Sequence, residues 1–127
     1  MNNITIIQHN VNTFTNKKFN LINTYRQINP DIILLNHTAL KNNTPLHIQG
    51  YMTYTKNTQN LTNRGTAIAI KQCLAHKIID DFTTDLIAID LETDLGTITI
   101  ATDYVTPNAP YLDLVDYNSL INRRNPV

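Results

Sequence analysis

Apolar residues recur along this chain in two rhythms. Ile4, Ile6 and Ile7 mark a short strand from Ile4 to Gln8 that ends in a polar pair, His9-Asn10. In "NKKFNLINTYRQI", Leu21, Ile22, Tyr25 and Ile28 fall at helical spacing, which predicts a helix of about three turns. Thr15 or Asn16 can cap it. Pro30 ends it, because the residue before a proline is pushed out of the helical region. Ile32 to Leu35 are then consecutive aliphatics, the pattern of an interior strand covered on both faces. This run breaks abruptly into two hydrogen-bonding side chains, Asn36 and His37.

A strand, a helix and a second strand make a crossover unit, which sets the two strands parallel if they share a sheet. Their C-terminal ends then lie on one edge. His9-Asn10 and Asn36-His37 are predicted to meet there, where open α/β sheets place their ligands. Further along, the pattern is mostly that of strands. "GYMTYT" and "GTAIAIK" alternate on either side of the loop "KNTQNLTNR". Ile87, Ile89 and Leu91 face Ile98 and Ile100 across a turn containing Asp94-Leu95-Gly96, the clearest hairpin of the chain. Leu112, Val115 and Leu120 give the segment from Tyr111 to Ile121 a helix-like face before "NRRNPV". With no repeat, linker or low-complexity segment, residues 1–127 are expected to form one compact α/β unit.

Composition narrows the function classes. Lys plus Arg and Asp plus Glu number 10 each, so the net charge is zero. The strongly basic footprint of a protein that grips nucleic acid by charge alone is missing, although a local basic patch stays open. Cys73 is the single cysteine, which excludes a disulfide framework or a thiolate zinc site and leaves a core or loop residue. The N-terminus lacks a basic, then apolar, leader, and no run approaches the ~18 apolar residues of a membrane span. Asn-x-Thr triplets such as Asn36-His37-Thr38 are then chance matches. The expected location is intracellular, in nucleus or cytoplasm, with no membrane partner.

Taken in order, "ITIIQHNVNTF", "INPDIILLNHTAL", "GY", "NRGTAIAIK", "LIAIDLETDLGTITIATDYVTPN" and "LINRRNPV" resemble the N-terminal half of the endonuclease/exonuclease/phosphatase domain. The likeness is greatest to the endonuclease of non-LTR (LINE-type) retrotransposons. No single stretch is decisive, but their joint order spans nearly the whole chain. The resemblance implies an α/β (α+β) fold, half of a four-layer αββα sandwich: one mixed β-sheet with flanking helices, the C-terminal half missing. It also implies Mg²⁺-dependent hydrolysis of phosphodiesters, with target DNA as the substrate that is nicked and a reverse transcriptase downstream in an intact element.

Carried over by position, the resemblance makes Asn10 the Asn that follows the first strand and holds the metal. Tyr104 of "DYVTP" is the Tyr that contacts the scissile phosphate, and Asn10 and Tyr104 are the expected catalytic positions. Arg64, with Gly65, fits an Arg-Gly segment before a core strand and is the expected DNA contact. The family's Gln-Glu after the second strand is Asn36-His37 here, so the metal-binding carboxylate falls on His37.

Mg²⁺ is held mainly by carboxylate and water oxygens, and imidazole suits zinc, copper or iron better. Asp103 is a candidate substitute carboxylate, but strand alternation points it away from the face Tyr104 uses. A zinc site from His9, His37 and Asp103 lacks any spacing signature. Each position also has a plainer reading: Asn10 as a turn cap, His37 bonded to backbone, Tyr104 packing a sheet end, Arg64 solvated, and Asn122 to Arg124 complementing a helix C-terminus.

The stretch resembling "NRRNPV" leads in the family to an Asp-x-Asn strand and then an Asp/His pair that activates water. Neither lies within these 127 residues, and the expectation is a truncated, inactive endonuclease. A sheet so truncated is expected to leave the second face of Ile32 to Leu35 open. The alternative function is therefore a non-enzymatic α/β module that self-associates, or binds another protein, through that face.

Overall fold

A computed structural model of the chain describes residues 3–40, 45–56, 65–79, 82, 86–103 and 120–121. The first strand, β1 (Ile6–Asn10), is followed by a short 3-10 turn (Thr15–Lys17) and a helix, α1 (Lys18–Ile28). Six strands follow: β2 (Ile32–Asn36), β3 (Tyr51–Lys56), β4 (Thr66–Lys71), β5 (His76–Ile79), β6 (Ile87–Thr93) and β7 (Gly96–Thr102). Helix α1 ends as its sequence dictates. Asn29 turns left-handed and its N–H donates to Tyr25 O, after which Pro30 prevents continuation. At the other end Thr15 and Asn16 lie in the 3-10 turn, and no side chain caps the helix. The segment expected to be helical from Tyr111 to Ile121 lies outside the described residues except for Leu120 and Ile121, which are helical.

The strands form two sheets, one ordered β1-β2-β4-β3 and the other β5-β6-β7. β1 and β2 are parallel, with Asn10 opposite Asn36, as the crossover requires. All other pairings are antiparallel. In the β6–β7 hairpin Ile89 lies opposite Ile100 and Leu91 opposite Ile98, residues that the alternation placed on facing arms.

β2 lies between β1 and β4, and all of its residues are buried. Ile33 and Leu35 face one way, onto Phe14, Val11 and Tyr25. Ile32 and Leu34 face the other way and pack with Ile68 and Ile70 against Ile87, Ile89 and Leu91 of the second sheet. The expected partial α/β sandwich is thus present, with one correction. In place of a single sheet with an open face there are two sheets, face to face. β5, unmarked in the sequence because His76-Lys77 interrupts its apolar run, completes the second sheet. Each such aliphatic side chain removed from water contributes roughly 1.5–3 kcal/mol, so this inter-sheet layer is a main source of stability.

Polar contacts tie the layers together. The Leu74 carbonyl can only accept, so His76 carries its proton on Nδ1 and donates it there (2.8 Å); His76 Nε2 then accepts from the Tyr54 hydroxyl (2.8 Å). Lys56 donates to the carbonyls of Phe82 and Leu86, with its ammonium 5.7 Å from the Phe82 ring centre.

Replacing Ile89 by Ala should lower the unfolding free energy in urea by roughly 2–5 kcal/mol. Leu95→Ala, at the exposed hairpin tip, should change it by about 0.5 kcal/mol or less. Equal effects would mean that the sheets do not pack as described.

Candidate functional site

The parallel pairing of β1 and β2 does not stop where the strands end. Val11 N–H donates to Asn36 O (3.0 Å), Thr13 N–H to His37 O (2.9 Å) and Phe14 N–H to Thr38 O (2.9 Å). The two loops therefore leave the sheet zipped together. That zipping holds residues in backbone conformations they would otherwise avoid. Asn12, Thr13, His37 and Ala39 all have positive φ, between 50° and 78°. For β-branched Thr13 in particular this is a strained state, and such strain persists only where surrounding bonds over-determine it.

Gly65 closes the same rim. Its φ of +112° is open to glycine, and a Cβ there would lie 2.5 Å from Thr38 Oγ1. Its carbonyl accepts from Thr38 N–H at 3.2 Å.

Side chains alternate across this edge. Gln8 and Asn10 share the face of β1 that looks toward the second sheet, with Asn36 opposite Asn10. Asn36 is 5 % exposed and is the centre of a network. Its Nδ2 donates to Thr102 Oγ1 (2.7 Å) and to the Asp103 carbonyl, and its Oδ1 accepts from Gln8 Nε2. The amide orientation follows from chemistry: a carbonyl can only accept, so the Asn36 nitrogen must face Asp103. Asn10 itself is exposed.

His9 points to the opposite face, where its Nδ1 lies 3.0 Å from the hydroxyl of buried Tyr25 and its ring meets Tyr25 edge-on. Burial pushes the Tyr25 phenol from 10.0 up to about 12, so the phenol is neutral at ordinary pH and shares a hydrogen bond with His9 Nδ1. Lys17, the cation nearest this loop in sequence, directs its ammonium to the carbonyls of Val11 and Asn12 (3.0 and 3.1 Å).

The structure thus brings Asn10 and His37 to one rim, as the strand ends predicted. His37 is only partly buried and sits in the left-handed region. Tyr104 and Arg64 lie outside the described residues, although their chain neighbours Asp103 and Gly65 are both bonded into the rim. Gln8 and Thr102 were not signalled as site residues. The available clue was that an interior strand does not end in a buried amide without partners to satisfy it.

Among the described residues the donor set does not fit Mg²⁺, which is held mainly by carboxylate oxygens. His37 offers an imidazole, Asn10 one amide oxygen, the Asn36 oxygen already accepts from Gln8, and Asp103 joins the rim through its backbone carbonyl. Among the described residues no group of three or more His, Cys, Asp or Glu side chains could hold a metal ion.

No protein-family model matches this sequence, and no curated protein matches it. Solved structures do. The endonuclease domain of TRAS1, a telomere-specific non-LTR retrotransposon, superposes with a TM-score of 0.71 at 16% identity, over 95% of this chain and 53% of that domain. The AP endonuclease LMAP from Leishmania major gives 0.68 at 18% identity, over 91% of this chain and 44% of that one. An AP endonuclease from Archaeoglobus fulgidus gives 0.59 at 21% identity, over 81% and 41%. The chain has the endonuclease/exonuclease/phosphatase-like fold, and it spans about half the length of the structures it matches. No helix among its described residues is long and apolar enough to cross a membrane.

Two outcomes check this geometry. Gly65→Ala should cost roughly 1–3 kcal/mol of stability in denaturant unfolding, through its backbone conformation and the Thr38 contact; a neutral effect would contradict the close approach. The second concerns Tyr25, an acid whose ionisation is harder in the folded chain. Its contribution is complete below pH 10.0 and is lost as pH rises through about 12. Stability should therefore fall across that window by up to roughly 2 kcal/mol, and Tyr25→Phe should abolish most of the fall.

Proposed function

We propose that this chain is the N-terminal half of an endonuclease domain of the non-LTR (LINE-type) retrotransposon kind, and that it does not itself hydrolyse DNA. The likeness to the TRAS1 domain supports the lineage, together with the order of stretches from "ITIIQHNVNTF" to "LINRRNPV". The observation that carries the inactivity is the rim itself, where Asn10 faces the pair Asn36-His37 with no carboxylate at the position where the resemblance puts a Glu.

In this reading the ancestral activity was Mg²⁺-dependent nicking of target DNA, with a reverse transcriptase encoded downstream in an intact element. When bound, the metal would polarise the phosphate and lower the pKa of a water, contributing several kcal/mol. The anion that would anchor it is replaced by the imidazole of His37. Asn10 and Tyr104 occupy the positions of the metal-site Asn and the phosphate-contacting Tyr, and Arg64 that of a DNA contact. The Asp-x-Asn and Asp/His stretches that the resemblance places further along are needed for a whole-domain reaction. Against the very slow uncatalysed cleavage of phosphodiesters, loss of the several kcal/mol a metal would supply leaves no useful turnover. With zero net charge, DNA association should be weak. An intracellular site of action, nucleus or cytoplasm, fits a DNA partner.

A supercoiled-plasmid assay tests this. No nicking above buffer is expected with Mg²⁺ or Mn²⁺, for the chain or for Asn10→Ala. Mg²⁺-dependent nicking by the chain that Asn10→Ala abolishes would overturn the inactive reading.

A further inference from the structure

At the rim described above, the buried amide of Asn36 joins three strands. It accepts from Gln8 of β1, belongs to β2, and donates to Thr102 and the Asp103 carbonyl at the end of β7. β1 and β2 belong to one sheet and β7 to the other. The contact between Asn36 and Thr102 spans 66 positions in the chain, so it closes the end of the sandwich where the loops are strained. A cation holding oxygens from both sheets would do the same mechanical work. Here that work falls to one uncharged side chain whose two donors are both used.

We infer that Asn36 makes the rim a metal-independent joint. It clamps β2 to the end of β7 and holds the Asn10 and His37 loops in place without a divalent ion. The inference rests on the same rim as the proposed function. The plasmid assay reads that proposal through activity, whereas the joint is read separately, through the melting of Thr102→Val.

The network makes a specific demand on its members. Asp at position 36 preserves shape but cannot donate to the Asp103 carbonyl, which is then left facing a carboxylate. Val at position 102 preserves shape but removes the hydroxyl that receives Nδ2. Neither replacement has a partner to offer the group it orphans, and orphaned polar groups away from water are costly.

Thermal unfolding of the 127-residue chain in millimolar Mg²⁺ and in EDTA decides the matter. The unsubstituted chain should melt at the same temperature in both. Thr102→Val should melt lower by roughly 5–10 °C in both, and Asn36→Asp lower by at least as much in EDTA. Should Asn36→Asp fail to fold, Thr102→Val carries the comparison alone. A melting temperature of the unsubstituted chain that rises with Mg²⁺ would overturn the inference. So would a Thr102→Val variant as stable as its parent.

Discussion

The constraint on which the molecule depends is the two-sided burial of β2. Four aliphatics in a row cannot share one face of a strand, because successive side chains point to opposite sides. Ile33 and Leu35 need cover from the helical layer, and Ile32 and Leu34 need cover from something else. The chain supplies that second cover from its own later strands, with Ile87, Ile89 and Leu91 meeting β2 and β4. Once β2 is fixed on both sides, its parallel partner β1 is fixed as well, and so is the edge at which both strands stop. Everything at the rim follows from that placement.

The end of β2 then poses a problem in polar chemistry. The strand carries its backbone and the Asn36 side chain out of an apolar interior, where unsatisfied amides are expensive. The fold answers with continued backbone pairing through the loops and with partners for every polar atom of the Asn36 amide. Strain in Thr13 and Ala39 is tolerated because these bonds leave the loops no alternative course. Among the described residues, the Asn36 amide is thereby committed on both its nitrogen and its oxygen.

Much of the architecture was legible in the residues themselves. Helix α1, the parallel β1–β2 unit and the β6–β7 hairpin each had an unambiguous period, and Asn29-Pro30 marked a stop with a mechanism. β5 was not legible, because four residues beginning His-Lys show neither a strict alternation nor an apolar run. The second sheet's role was misjudged for a related reason. Alternation in β6 revealed one apolar face, but no local signal says which layer that face meets. At the site, strand order and termini placed Asn10 and His37 on a common edge. The partnership of Asn36 with Thr102 could not be read, since a contact across 66 positions leaves no trace in local spacing. The requirement for glycine at Gly65 also emerged only when Thr38 was seen against it.

The central claim is that this edge is joined by an uncharged hydrogen-bonded network centred on Asn36 and not by a divalent cation. Calorimetric titration of the chain with Mg²⁺ measures that most directly. The account predicts no saturable heat through the millimolar range. Stoichiometric uptake that Asn10→Ala removes would contradict it.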